Sequence, residues 1–229
     1  MSSTPSAPLI EVEKKFVAPS DHAVMAASVE AQGGKELGTK RFTDVYYDTA
    51  DCSLTRRDTW LRERDGAWEL KLPVYEDARR SGGERTVFTE VEGEAAVAAA
   101  LRDLLPGIDE KMSAQPLSEM LNAAQVLPFA EFSTTRSKWK LGNANIDADV
   151  ASFGHAVMEI EVLCKSESDV DEAEAEVARV ADILGAQPLS GSMGGKLETY
   201  IRRHCPSVLA QLVEAGVLAA DPEAPEQGP

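Results

Sequence analysis

Short segments in which apolar and charged residues alternate recur along most of the chain. In residues 9–16, Ile10 and Val12 share one parity, whereas Glu11, Glu13 and Lys15 share the other. Because successive side chains of an extended strand point to opposite faces, this alternation predicts a strand with one apolar and one charged face. The pattern predicts strands at residues 9–16, 42–48, 59–64, 68–73, 85–92, 131–140, 144–151 and 155–164.

Segments with helical periodicity fill most of the remaining chain, at residues 20–32, 94–105, 116–125, 167–185, 192–204 and 206–215. Compact turn signals at 64–66 and 142–144 predict antiparallel hairpins between neighbouring strands. Closure of a sheet leaves no unpaired edge, so a series of mostly antiparallel strands in one domain favours a barrel. We therefore predict an α+β fold with an eight-stranded antiparallel closed β-barrel flanked by helices.

Seven of the predicted strands carry charged residues at alternate positions, which we call the charged parity. In the eighth strand, these positions are Asp44, Tyr46 and Asp48. Two arrangements fit this pattern. Either the charged faces meet water and the apolar faces fill the barrel, or the apolar faces lie under the helices and the charged faces line the lumen. The predicted helices need an apolar surface to cover, which favours a polar, charged lumen.

Composition and charge limit the function and the setting of the chain. The formal net charge of −16 argues against nonspecific nucleic-acid binding, which needs a basic surface. The three cysteines are too irregularly spaced for a disulfide framework or a zinc site, and neither a signal sequence nor a membrane span is evident. We expect a cytoplasmic monomer with no membrane partner. We also expect a disordered N-terminus at 1–8, a tunnel domain at 9–216 and an acidic disordered tail at 217–229.

A lumen that holds both cations and carboxylates is costly when dry and empty, because buried charges need partners. The pattern therefore predicts a water-filled tunnel and a highly charged ligand. Arginine and lysine suit phosphate oxygens, and the candidates are Lys15, Arg62, Arg64, Lys71 and Arg136. Three carboxylate pairs suit a hard divalent cation such as Mg²⁺: Glu11/Glu13, Asp147/Asp149 and Glu159/Glu161.

The ordered set of motifs resembles a known family. The segment "EVEKK" reads as the ExExK signature of the CYTH superfamily, the triphosphate tunnel metalloenzymes, whose fold is an eight-stranded antiparallel barrel. The segments "YYDT", "WLRER", "WELK", "TTRSKW", "DAD", "EIE" and "GGKL" then follow in an order that resembles the thiamine triphosphatase branch. The resemblance extends to about residue 204.

The resemblance implies a role for each matching residue. The acids that bind metal or position water would be Glu11, Glu13, Asp147, Asp149, Glu159 and Glu161, and the triphosphate ligands would be Lys15, Arg62, Arg64, Arg136 and Lys196. Lys71 would lie near the attacking water, Tyr46 near the scissile phosphate, and Glu90 in the tunnel wall. Lys138 stands where a small residue is expected, as either an extra phosphate contact or a rim charge.

Trp60 shares the parity of Arg62 and Arg64, so we expect it to face the tunnel near its mouth. A cationic thiazolium ring would be attracted to the indole face, and the resemblance implies a tryptophan at this place. The alternative is that Trp60 plugs the barrel end by packing alone.

The sequence thus predicts a hydrolase that converts thiamine triphosphate to thiamine diphosphate and phosphate with Mg²⁺, for which Mn²⁺ could substitute. Lys71 could act as a base only if neighbouring arginines lowered its pKa, because an unperturbed lysine is protonated at neutral pH. Three alternatives stay open on the same fold: an inorganic tripolyphosphatase, an adenylate cyclase, and a non-catalytic polyphosphate-binding module.

Overall fold

The computed structural model describes residues 9–74, 86–105, 108, 115–189 and 194–220 of the chain. Its strands are β1 (Leu9–Val17), β2 (Lys35–Asp48), β3 (Trp60–Arg64), β4 (Ala67–Pro73), β5 (Thr86–Glu92), β6 (Leu127–Leu141), β7 (Ala144–Ala151) and β8 (Ala156–Cys164). Its helices are α1 (His22–Ala31), α2 (Glu94–Leu104), α3 (Leu117–Ala123), α4 (Val170–Leu184), α5 (Lys196–His204) and α6 (Pro206–Glu214), with short 3-10 turns at Thr55–Arg57 and Glu167–Asp169.

The strands form a closed antiparallel barrel in the order β1-β5-β4-β3-β2-β6-β7-β8, and β8 pairs back onto β1. This confirms the predicted fold class. The hairpin turn between β3 and β4 shows how the local sequence directs the chain: Asp65 and Gly66 both have positive φ, 49° and 87°. An Asp-Gly pair adopts this left-handed backbone at low cost, and the resulting twist matches that of the flanking strands.

The apolar faces of the strands point outward and are covered by helices. One core cluster joins Trp139 and Ile160 of the barrel to Val180 of α4, and a second joins Leu70 to Leu101 of α2. Helix α1 belongs to the first cluster and α3 to the second, whereas α5 and α6 pack at a barrel end, where Ile201 and Leu212 join a cluster that includes Trp60. The charged faces therefore line the lumen, as the number of predicted helices indicated.

Two strands begin well before their predicted starts. Strand β2 begins at Lys35 rather than at residue 42, and β6 begins at Leu127 rather than at 131, because these two strands pair with each other along nearly their whole lengths. Long-range pairing extends a strand through residues whose local pattern is too polar to indicate it.

The end of the chain also differs from the expected boundary. Leu218, which the sequence assigned to a disordered tail, is buried in the cluster that includes Trp60. Residues 1–8 and 221–229 lie outside the described part of the chain, so the predicted disorder there stays a prediction. None of the helices within the described ranges is long and apolar enough to cross a bilayer.

Candidate functional site

The barrel encloses a cavity of about 410 Å³, lined mostly by charged side chains. The described residues contribute as many cations as acids to its wall: Lys15, Lys40, Arg62, Arg64, Lys71, Arg136, Lys138 and Lys196 against Glu11, Glu13, Glu69, Glu90, Glu92, Glu159, Glu161 and Glu198. All the predicted site residues line this cavity except Asp147 and Asp149, which contact Arg136 instead. Strand parity therefore selected most of the charged residues that line this cavity, and their functional roles stay predictions.

Arg136 lies at the centre of the most buried ion-pair cluster. Its guanidinium donates to both oxygens of Asp149, at 2.7 and 2.6 Å, and to Glu159 Oε2 at 3.0 Å. Lys196, from the first turn of α5, joins the same two acids and lies 3.2 Å from Glu159 Oε1. Burial alone would raise the pKa of Glu159, but Lys196, Lys15 and Arg136 outweigh it and hold the pKa well below its usual range. Each charged group of the cluster has a partner of opposite charge, so these side chains stay ionised although they are buried.

The two arginines of β3 are held in the same way. Arg64 binds Asp44 through two hydrogen bonds of 2.7 and 3.0 Å, and Asp44 is fully buried. Arg62 donates from Nε to Glu69 Oε2 at 2.6 Å and lies 3.5 Å from Glu90. These acids fix both guanidinium groups in the tunnel wall with their remaining N–H groups available to a ligand.

Glu11, Glu13 and Glu161 form a cluster of carboxylates that could bind a metal ion. One carboxylate oxygen from each lies within 4.8 Å of the others, on the adjacent strands β1 and β8. Three carboxylates that converge in this way are the donor set of a hard divalent cation. Lys71 contacts Glu11 and Lys15 contacts Glu13, so these ammonium groups balance the acids in this structure. The other predicted metal ligands, Asp149 and Glu159, belong to the Arg136 cluster.

Asp147 is an intermediate case. Both of its carboxylate oxygens are buried and accept no hydrogen bond of acceptable geometry, although Arg136 Nη1 lies 2.5 Å away and Lys138 Nζ lies 3.5 Å away. Burial raises the pKa of Asp147, and the two cations only partly offset it. A buried carboxylate with unused acceptor capacity beside the tunnel fits a site that gains a cation or a proton when the ligand binds.

The surroundings of Lys71 do not meet the condition for a general base. Burial would lower its pKa, but the carboxylates of Glu11 and Glu13 outweigh burial and the neighbouring Arg62, so the pKa is raised. The condition for a base is therefore not met, because Arg62 lowers the pKa of Lys71 by less than Glu11 and Glu13 raise it. Lys71 is an ammonium group that can donate hydrogen bonds into the cavity.

One end of the cavity is apolar and aromatic. Trp60, Phe88, Leu197 and Leu218 line it there and belong to one buried cluster. The Trp60 indole donates from Nε1 to Asp58 Oδ1 at 2.8 Å, and the residue is only 9% exposed. Trp60 thus both lines the cavity and packs against the C-terminal helices, and its contact with a ligand stays a prediction. Tyr46 lies beside this end and stacks on Phe132, with ring centroids 5.9 Å apart.

The glycines before α5 permit a close approach to the site. A Cβ on Gly195 would meet Cε of Lys15 at 2.8 Å, closer than side chains normally approach. His155 donates from Nε2 to the Gly194 carbonyl at 3.0 Å and so anchors this turn to the barrel. The "GGK" motif therefore places Lys196 in the tunnel because residues without a side chain precede it.

Several residues of the site were not predicted. Lys40 was not predicted because the predicted strand began at residue 42. If the alternation is continued two residues toward the N-terminus, Lys40 falls on the charged face. Asp44 and Glu69 share the charged parity but were not assigned a role. Phe88 is apolar, so a search for charges did not select it. Leu218 reaches the cavity through tertiary packing, for which the local sequence carries no signal.

Comparison with known proteins gives consistent matches in sequence. The CYTH domain family matches residues 9–192. The chain is 33% identical to a thiamine-triphosphatase of Macaca fascicularis and 32% identical to one of Homo sapiens. Each alignment covers 95% of this chain and 95% of the relative.

Comparison with solved structures supports the fold. The PH1819 protein of Pyrococcus horikoshii superposes with a TM-score of 0.57 at 19% sequence identity. The match covers 85% of this chain and 99% of that protein. At this identity the likeness concerns the barrel architecture alone.

Proposed function

The chain belongs to the CYTH domain family, and on that basis we propose that it is a metal-dependent hydrolase that converts thiamine triphosphate to thiamine diphosphate and orthophosphate. The curated relatives named thiamine-triphosphatase are similar over nearly their whole length, which supports the same activity here. The observation that carries the proposal is a single cavity that combines a cationic wall, a carboxylate trio and an aromatic end.

The cationic wall suits an extended triphosphate. Arg62, Arg64 and Arg136 present guanidinium groups that are already held by acids, so binding costs little side-chain entropy. Lys15 and Lys196 add ammonium groups from β1 and α5. Phosphate oxygens would take over part of the hydrogen bonding that Glu69, Glu90 and Glu159 now provide.

The trio of Glu11, Glu13 and Glu161 would hold the metal ion, and Asp147 has acceptor capacity to assist through a bound water. We propose Mg²⁺, with Mn²⁺ as a substitute, because all of these donors are carboxylate oxygens. When bound, the ion would supply Lewis-acid chemistry that neutralises the charge developing on the phosphate oxygens.

The chain's own residues then orient the attack. A carboxylate, for which we propose Glu161, accepts a hydrogen bond from the attacking water and receives its proton. Lys71 keeps its proton and donates to a phosphate oxygen, and Tyr46 lies beside Arg62, its cross-strand partner, near the bond that breaks. Water oxygen bonds to the terminal phosphorus, the bridging P–O bond breaks, and thiamine diphosphate leaves with the electron pair.

The aromatic end would bind the thiamine moiety. The indole of Trp60 offers a π face to a cationic thiazolium ring, and Phe88, Leu197 and Leu218 complete an apolar wall around it. An inorganic polyanion gains nothing from such a wall. This end therefore favours thiamine triphosphate over tripolyphosphate.

Phosphate release from thiamine triphosphate, tripolyphosphate and ATP, with Mg²⁺ or with EDTA, tests the proposal directly. We expect metal-dependent turnover that is fastest with thiamine triphosphate, and a loss of at least about a hundredfold in kcat/KM in Glu11→Gln and Arg62→Ala. Glu30→Gln and Arg41→Ala are matched controls, because both residues are exposed and outside the cavity.

The outcomes separate the alternatives. Faster turnover of tripolyphosphate would indicate an inorganic tripolyphosphatase, and formation of cyclic AMP from ATP would indicate a cyclase. Binding of all three ligands without turnover would indicate a polyphosphate-binding module. Near-normal turnover in both Glu11→Gln and Arg62→Ala would overturn the assignment of the tunnel as the active site.

A cytoplasmic location, a monomeric state and a lack of nucleic-acid partners stay predictions that follow from composition and charge. Light scattering coupled to size-exclusion chromatography would test the monomer, for which the expected mass is 24.6 kDa.

A further inference from the structure

Three cations surround one phenylalanine ring inside the barrel. The Arg64 guanidinium lies 4.1 Å from the centroid of Phe42, the Arg136 guanidinium 5.3 Å and Lys40 Nζ 5.2 Å. Phe42 is buried, so the ring separates these groups and favours their positive charge through its π face. The cluster concentrates positive charge at one place in the tunnel wall.

The register of the strands shows which end of the tunnel this is. Strand β2 pairs antiparallel with β3 through Tyr46 with Arg62 and Asp44 with Arg64. Trp60, at the start of β3, therefore lies toward the carboxyl end of β2, whereas Lys40 lies toward its amino end. Lys138 is close to Lys40, because β6 pairs Arg136 with Lys40 and Lys138 with Gly38. Lys40 and Lys138 line the end of the cavity that is opposite Trp60.

The charge at this end is incompletely balanced. Arg64 and Arg136 have buried carboxylate partners, and Lys138 lies 3.5 Å from Asp147. Lys40 makes no ion pair with any residue in the described ranges, and much of the residue is exposed although it lines the cavity. Partial burial and the repulsion of Lys138, Arg136 and Arg64 together lower the pKa of Lys40, and Asp147 offsets this only weakly. A cation that faces other cations is stabilised by an anion that binds between them.

We propose that Lys40 and Lys138 form an additional anion subsite, which binds one phosphoryl group beyond the triphosphate and so admits linear chains of four or more phosphates. The inference rests on the proposed function in one respect: the triphosphate lies along Arg62, Arg64 and Arg136, with its organic end at Trp60. The fourth phosphoryl group then reaches the Lys40 end of the tunnel.

The chemistry of the two side chains suits this role. Lysine is a flexible point charge, which can follow the last phosphoryl group of chains that end at slightly different depths. Both lysines are more accessible than the buried Arg136, with the side chain of Lys138 26% exposed, so a chain that continues past them reaches water. The triphosphate region, in contrast, is built from fixed guanidinium groups.

Direct binding tests the subsite without relying on turnover. Titration calorimetry would compare tripolyphosphate with tetrapolyphosphate at fixed ionic strength and with EDTA present, so that no hydrolysis occurs. We expect the wild-type chain to bind tetrapolyphosphate about three- to tenfold more tightly than tripolyphosphate, a gain typical of one or two accessible charged contacts. In Lys40→Ala combined with Lys138→Ala, this ratio should fall to about one.

The matched control is Lys35→Ala, which removes the same charge from the same strand at an exposed position outside the cavity. It should keep the wild-type ratio. A wild-type ratio of one, or a ratio that persists in the double variant, would overturn the subsite. Equal losses for both ligands in the double variant would also overturn it, because the lysines would then hold the third phosphoryl group. Failure of the chain to hydrolyse any triphosphate would overturn the proposed function and leave this binding ratio unaffected.

Discussion

Replacement of Trp60 by leucine tests whether the aromatic end selects the organic part of the substrate. Trp60 is 9% exposed and packs with Leu212 and Leu218, so truncation to alanine would also open a cavity, at a typical cost of about 3–5 kcal/mol. Leucine keeps much of the apolar volume and removes the π face and the indole N–H. It therefore isolates the interaction in question better than alanine does.

The size of the effect follows from two contacts. The attraction between a cation and an indole face is about 0.5–2 kcal/mol, depending on desolvation. Loss of the hydrogen bond from the indole to Asp58 changes stability by about 1 kcal/mol but should affect all substrates alike. We therefore expect the ratio of kcat/KM for thiamine triphosphate to that for tripolyphosphate to fall by about two- to thirtyfold in Trp60→Leu.

The assay is phosphate release from both substrates by wild type, Trp60→Leu and Trp60→Phe, measured under conditions in which all three proteins are folded. Trp60→Phe keeps an aromatic face and should lose less of the ratio than Trp60→Leu. If both variants lower kcat/KM for the two substrates by the same factor, Trp60 acts through packing alone. The reasoning that links the aromatic end to thiamine would then be refuted.

Three further substitutions test the framework of the site. Gly195→Ala should lower kcat/KM for thiamine triphosphate by about ten- to a hundredfold, because the new Cβ displaces Lys15, while the melting temperature stays nearly unchanged since the backbone suits alanine; an unchanged kcat/KM would contradict the contact. Arg136→Ala should cost about 3–5 kcal/mol in the free energy of unfolding measured by urea titration, because three buried acids lose the guanidinium that they share and keep only the ammonium groups of Lys138 and Lys196, whereas the exposed Arg41→Ala should change it by less than about 0.5 kcal/mol. Burial lowers the pKa of His155 below its usual value of 6.5, so as the pH falls the unfolded chain binds a proton at this residue before the folded chain does. The free energy of unfolding should therefore decrease as the pH falls below about 6.5. Between about pH 7 and pH 5, His155→Gln should lose less stability than wild type.

Much of the fold could be predicted from the sequence because strand parity is local. A period of two over each strand identified the β-segments, and turn residues such as Asp65 and Gly66 indicated hairpins. The charged parity also selected the arginines and acids that line the cavity. These features depend on neighbours in the chain, so each can be derived from a short segment.

The pattern of a single strand leaves open which of its two faces is buried. In residues 9–16 the pattern alone fits a solvated outer face, yet Glu11 and Glu13 are only 4% and 8% exposed. Tertiary packing decides this, because α1 and α4 cover the apolar face and leave the charged face inside. Which face is buried therefore depends on how many helices the whole domain must pack against the barrel, and no single strand shows it.

Three features were decided by tertiary structure alone. Asp149 and Glu159 meet Arg136 and Lys196 only because the barrel closes and α5 packs at its end, so their assignment to a metal could not be distinguished from ion pairing in the sequence. Leu218 reaches the aromatic end through the packing of α6, and Gly195 matters only because Lys15 lies against it. The sequence by itself determined the strands and the chemistry of each face, since both are local. The contacts inside the tunnel join residues that are far apart in the chain. They therefore form, and contribute free energy, only when the barrel closes.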